Sequence, residues 1–358
     1  RYSSVTGVQT CALPISAARP SQPSSASSEE LREKVASVRA AAEDGSSVLL
    51  ACDPSVEGVL SSVGLAYLAH LPADRVRLAR ADACQARLDE VVIAAPPAEG
   101  DDAVDLAWRV WRGLKAAVSE GCRWQRDGRC SGSCRAECTR KVLLACASDS
   151  PSMPETVHRY VRLAFDTRGE LRSMSPSPDV LATDALARRV SCECEKTRQF
   201  VRFSRLSDGS FFSTFRPSEN TIPLVAQHFA SRMGTERFCL VDPIHRMAAL
   251  HEKGARRCQV TRLDQALADE LASRDDLAPD ERYVRAMWKR LYAGLTLEGR
   301  GKVERGYDLR ANLMPKRFWA GLTELDPYVG EEDVAVPERY SGRSPVLSDA
   351  ARTDRQDG

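Results

Sequence analysis

The repeat Ser175-Pro176-Ser177-Pro178 is the sharpest break in the chain, and the apolar pattern changes character around it. Proline lacks an N–H and fixes φ, so neither a helix nor a central strand runs through two of them. Ahead of the break, apolar residues recur mostly at helical spacing. The exception is Ser47 to Cys52, a short continuous apolar run that reads as a buried strand. Asp53-Pro54-Ser55 then makes a turn, and Val56 to Leu71 reads as a helix. Upstream, Ser27 and Glu30 have capping-box spacing, and Gly45 can close the helix they open. Asp101 to Ser119 places Val104, Trp108, Trp111, Leu114 and Val118 on one helical face, with acidic residues in the first turn as the helix dipole favours. Met153 to Phe165 reads as a further helix.

Beyond the break, a helix over Val180 to Val190 gives way to alternation. Phe200 to Leu206 and Ser210 to Arg216 alternate on either side of Ser207-Asp208-Gly209, the pattern of a hairpin. Pro223 to Met233 reads as a helix with proline in its first turn. Short strands follow at Phe238 to Val241, Met247 to Leu250 and Arg257 to Val260, then a helix over Glu281 to Leu295. Pro315 opens a last short one. The whole predicts an α+β fold: an N-terminal strand–helix unit and helical region, followed by an antiparallel sheet with packed helices.

The ends stand apart. Val5 to Ile15 looks like a common sequencing-adaptor oligonucleotide translated in frame, and Ala18 to Ser28 is rich in Ser and Pro. Residues 1–27 are therefore expected to be an artefact plus a flexible leader, with an N-terminal α/β and helical region over 28–187. A basic α+β region follows over 188–325, and an acidic, disordered tail is expected over 326–358. No apolar run approaches the ~20 residues that span a bilayer, so a soluble, cytoplasmic protein without a membrane partner is expected.

Net charge is only +1 across 358 residues, yet it is unevenly spread. Residues 188–317 hold 25 Lys and Arg against 17 Asp and Glu, while the rest of the chain holds 26 against 33. Phe200, Phe203, Tyr283, Trp288, Phe318 and Trp319 interleave with the basic residues. Cations release counterions from phosphates and aromatic faces stack unpaired bases, so the mixture suits single-stranded or distorted nucleic acid. The alternative is a solvated surface over core aromatics. Trp108 and Trp111 face the same choice, and packing is the plainer reading of that pair.

Cys122, Cys130, Cys134, Cys138 and Cys146 are spaced by 8, 4, 4 and 8. Thiolates at Cys130, Cys134 and Cys138 are metal candidates, but steps of four line one helix face and cannot surround a tetrahedral ion. An insertion without a ligand is the plainer reading. Cys192 and Cys194 point apart on their helix. Cys52, Cys84, Cys239 and Cys258 sit in apolar runs as small hydrophobes. No cofactor is expected. After Cys52 neither G-x-G-x-x-G nor a P-loop occurs, so no phosphate cradle is read there.

Among polar residues, His228 and Arg232 fall one turn apart on a helix, and Asp242, His245 and Arg246 at a turn between strands. His228 and Asp242 are candidates for an acid–base pair, against a structural role for the histidine.

Several stretches together carry a resemblance. They are Glu57-Gly58, Val110 to Leu114, Arg189-Val190, Phe200 to Phe203 with Asp208-Gly209, Pro223 to Arg232, Asp242 with Arg246, and Met314 to Trp319. Over roughly Ser46 to Leu325 the chain resembles a bacterial domain-of-unknown-function family connected with DNA repair and DNA metabolism. Members accompany a radical S-adenosylmethionine protein related to spore photoproduct lyase, and some are fused to a uracil-DNA glycosylase-like domain. Glu193-Cys194-Glu195 stands where the family tends to carry Glu-Ala-His, so no role for that histidine transfers. Nor does the family's Asn-Pro-Arg-like stretch, replaced here by Asp308-Leu309-Arg310.

The resemblance implies an accessory protein of DNA repair or base modification that binds single-stranded or damaged DNA beside a radical S-adenosylmethionine partner. Arg188, Arg189, Arg198, Arg202, Lys316 and Arg317 would contact phosphates, with Phe318 or Trp319 stacking. His228, Arg232, Asp242 and Arg246 would form the polar centre. The alternatives are an enzyme acting on a damaged base through His228 and Asp242, and a redox partner binding metal through Cys130 to Cys138.

Overall fold

A computed structural model describes residues 25–98, 100–119, 133–174, 176–294 and 314–325. The fold is α+β, with one parallel and one mixed sheet. Two compact units divide it: residues up to Arg198 together with Pro217–His228, and residues Gln199–Arg216 together with those from Phe229 onward.

The first unit opens with α1 (Ser25–Glu43), β1 (Ser47–Cys52) and α2 (Val56–Leu68). Gly45 takes φ of +85° between α1 and β1, a conformation open to glycine at no steric cost. Ser55 caps α2, its hydroxyl accepting the Gly58 N–H at 3.1 Å. A Cβ at Gly58 would lie 2.4 Å from the Asp53 carbonyl oxygen, so strand and helix approach closely only because that atom is missing. Gly58→Ala is expected to cost about 1–3 kcal/mol, as overpacking does. A denaturant midpoint within error of the parent would contradict this.

Two strands follow that the sequence reading did not anticipate, β2 (Val76–Arg80) and β3 (Glu90–Ala94). They flank β1 in a parallel sheet of order β2-β1-β3. The run into Cys52 is thus the buried centre of a three-stranded parallel sheet, and its two outer neighbours are less apolar. Helices α3 (Asp101–Ala117), α4 (Ser133–Cys146), α5 (Met153–Thr167) and α6 (Pro178–Phe200) complete the series. On α3 the buried stripe is Ala103, Leu106, Ala107, Val110, Trp111 and Leu114, turned from the predicted face, so Val104 and Trp108 are only half-buried. Trp111 packs in the core, as the plainer reading had it, and Lys115 lies 5.3–5.4 Å from both indole rings. The core gathers Leu50, Leu60, Leu65, Leu114, Tyr160 and Met153 around β1.

The second sheet runs β4 (Ser204–Arg205), β5 (Phe211–Thr214), β6 (Phe238–Asp242), β7 (Met247–His251) and β8 (Gln259–Arg262), in that order. The Ser207-Asp208-Gly209 turn is present, with Gly209 at φ +82°. The expectation of a purely antiparallel sheet is corrected, because β5 and β6 pair in parallel. They are joined through helix α7 (Ile222–Arg232), and a helical crossover returns the chain in the same direction. Helices α8 (Gln265–Ala272) and α9 (Glu281–Gly294) follow, then a 3₁₀ turn at Lys316–Gly321 and another at Thr323–Leu325. Among the described residues no helix is long and apolar enough to cross a membrane.

Candidate nucleic-acid interface

The second unit holds a small cavity of about 100 Å³ where Phe200 to Arg202, the end of β5 and the closing 3₁₀ turn meet. Arg202, Arg216 and Arg317 all stand in its wall, and Phe200, Phe215 and Phe318 supply the apolar side. Its size suits a few waters or one small anionic group. Arg202 is held by Glu324, whose carboxylate accepts Arg202 Nη2–H at 3.0 Å and the Trp288 indole N–H at 3.0 Å. Arg202 also donates to the Gln199 carbonyl at 2.8 Å. The buried Glu324 thus fixes one guanidinium, while Arg216 and Arg317 remain exposed. Arg216 was absent from the sequence candidates. Its signal was only its place at the end of a predicted strand.

The stacking role expected of Phe318 is corrected. It is 3% exposed and packs at 5.8 Å from Phe200, so its ring belongs to the core. Trp319 is half-buried, with its indole N–H donating to the Met314 carbonyl at 2.9 Å. Lys316 is exposed beside it.

The remaining arginines lie elsewhere. Arg188 is exposed on α6. Arg189, expected on phosphate, is instead a clasp of the first unit: it pairs with the buried Glu219 and donates to Ser148 Oγ at 3.0 Å. Glu219 also accepts the Asp149 N–H at 2.7 Å, and the buried Glu193 accepts that of Ser218 at 2.8 Å. Arg80, the last residue of β2, joins this polar network by pairing with Asp82 and Asp149. Apart from Arg80 and Asp82, these partners are tens of residues apart in sequence, so no local spacing announced them. Arg198 pairs with Glu195 on its own helix.

Of the proposed polar centre, His228 and Arg232 are exposed on α7, and Asp242 is buried. The Asp242 carboxylate is engaged by its own turn. One oxygen accepts the N–H groups of Ile244 and His245 at 3.0 and 3.2 Å, and the other lies 2.6 Å from His245 Nδ1. Within its own turn Asp242 is thus a turn-forming carboxylate paired with His245. Arg246 closes the turn at φ 53°, and its carbonyl accepts the Leu263 N–H at 2.8 Å.

Among the described residues no group of three or more His, Cys, Asp or Glu side chains is arranged to hold a metal. Cys122 and Cys130 lie outside the described residues, and Cys134 falls in the first turn of α4. Cys138 and Cys146 are buried. Burial pushes the Cys52 thiol up to about 12 and that of Cys239 to about 11, and raises that of Cys146. Such thiols stay protonated and inert near neutral pH. Cys192 is exposed and Cys194 buried, as the helical spacing predicted.

Residues 151–324 match the family model described as a domain of unknown function, DUF4130. A DUF4130 domain therefore spans α5 through the closing 3₁₀ turns. No curated protein matches the chain. Among solved structures, the chain is similar to a DHH domain described as a member of the s1p family of ribosomal proteins. That likeness has 9% identity and a TM-score of 0.34, over 70% of this chain and 91% of the other.

Proposed function

We propose that the basic α+β region binds single-stranded or damaged DNA, as an accessory of repair or base modification beside a radical S-adenosylmethionine protein. The observation that carries DNA binding is the cavity walled by Arg202, Arg216 and Arg317. Three arginines line one phosphate-sized space, and the buried Glu324 carboxylate holds one of them, Arg202, in place beside it. Guanidiniums match phosphate oxygens in a planar, bidentate fashion, which favours this reading over a merely solvated surface. The accessory role and the radical partner rest on the family resemblance.

The test is a salt titration of binding to a single-stranded oligonucleotide. The logarithm of affinity should fall with the logarithm of salt by about 0.7 per phosphate contact. Arg216→Ala and Arg317→Ala should each reduce that slope by roughly the same 0.7. Unmeasurable affinity at low salt, or slopes identical in both variants and the parent, would sink the proposal.

A further inference from the structure

Arg202 brings to the cavity a donor that the fold does not use. Its Nη1–H and Nη2–H groups donate to the Gln199 carbonyl and the Glu324 carboxylate, and its guanidinium lies 5.9 Å from the Trp288 ring, so the group is held in one place. Its Nε–H is buried and donates to no acceptor among the described residues. Such a donor costs stability until a ligand oxygen accepts from it. Arg216 stands exposed at the same cavity, and its guanidinium makes no hydrogen bond or ion pair among the described residues. Thr214, with its hydroxyl, is also part of the lining. We propose that this cavity takes the terminal phosphate monoester of a DNA strand, so that the protein recognises a strand end rather than a continuous strand.

This rests on the reading that the basic region binds DNA, and it narrows the part of DNA that is bound. At about 100 Å³ the cavity has room for roughly three waters. An internal phosphodiester carries a sugar on each side, and both must leave the site. A terminal monoester carries one, so its phosphate enters a space this small while the strand leaves in a single direction. The monoester also brings about −1.5 to −2 charge at pH 7 and three acceptor oxygens. Those oxygens match the donors of Arg202, Arg216 and Thr214, and charge-assisted bonds of this kind are the strong ones. The apolar side offers nothing to a base: Phe215 and Phe318 are 7 and 3% exposed, with their rings packed in the core. The cavity thus reads a phosphate without reading the base attached to it.

Fluorescence anisotropy on the full chain tests it, with one internally labelled single-stranded oligonucleotide in three forms: hydroxyl at both ends, phosphate at the 5′ end, and phosphate at the 3′ end. At pH 7 at least one phosphorylated form should bind about tenfold tighter than the hydroxyl form, and which one does so gives the polarity of the end. The preference should shrink toward pH 5, because the monoester regains its second proton at about pH 6. Arg216→Ala removes an exposed side chain and should erase the preference. Arg202→Lys keeps a cation beside Glu324 but loses the Nε–H, and should erase it too. Equal affinity for all three forms, with binding still salt-dependent, overturns end recognition and leaves DNA binding standing. A preference that survives in both variants also overturns it. No binding of any form at low salt removes the DNA reading itself, and end recognition with it.

Discussion

Glu155→Gln is expected to cost the folded protein about 3 kcal/mol at neutral pH and to flatten the acid limb of its stability profile. Glu155 lies on α5 and is mostly buried. Burial by itself would raise its carboxyl, but the hydrogen bonds it accepts outweigh that and hold it at about 2, against an ordinary value of 4.5. One oxygen accepts the Leu78 N–H of β2 at 2.9 Å, and the other accepts Arg159 Nε–H at 2.7 Å. Arg162 donates to His158 Nε2 at 3.0 Å, which leaves the ring proton on Nδ1, facing Glu155 at 3.5 Å. A carboxyl depressed in the folded state stabilises it fully above about 4.5, and that contribution disappears as pH falls toward 2. Urea titrations at pH 7, 4 and 3 check this. Parent and variant losing stability in parallel across that window would refute the assignment.

Phe238→Ala should cost about 3–5 kcal/mol, the range for removing a buried aromatic side chain. Phe238 opens β6, is 2% exposed, and lies between two rings. Phe203 meets it edge-on at 5.3 Å, and the buried His251 stacks on it at 5.0 Å. Phe203 also meets Phe229 edge-on at 5.4 Å, so the ring row joins the sheet to α7 within the second unit. His251 is fixed by contacts from its two nitrogens to the Glu236 and Ala255 carbonyls, both at 2.9 Å, and cannot move into the gap. A residual cavity is therefore the expected outcome. The check is the urea midpoint at unchanged m-value; a loss below about 1 kcal/mol would mean the site collapses around the gap.

What was legible in the sequence was what local chemistry decides. Ser47 to Cys52, the turn at Asp53 to Ser55, the Gly209 hairpin and the β6 and β7 strands follow from apolar runs and turn residues, and they stand where the pattern put them. Neighbour choice was not legible. Val76–Arg80 interleaves arginines with apolar residues, and Glu90–Ala94 leaves Val91 and Val92 half exposed, so neither resembles the buried parallel strand that β1 is. The parallel pairing of β5 and β6 depends on where α7 delivers the chain, which periodicity does not encode. Helix α6 runs ten residues past the Val190 at which its pattern was expected to stop, because Glu193, Cys194 and Thr197 are buried along its inner face despite two being polar. At the candidate site, composition located the basic region, but not which cations face one cavity. Arg189 and Arg202 look alike in sequence, and only their acidic partners, Glu219 and Glu324, separate a clasp from a cavity wall.

The Glu155 carboxylate on Leu78 has a further effect on the parallel sheet. An outermost strand offers a row of free N–H and C=O groups to any other chain. On the β2 side, the α5 carboxylate occupies one of those donors and places a negative charge beside the row. Among the described residues the opposite strand, β3, has β1 as its one strand neighbour and shows Val91 and Val92 at 40 and 49% exposure. Of the two outer strands, β2 is thus the better guarded against edge pairing, and Val92→Lys is the change that would give β3 a comparable charge.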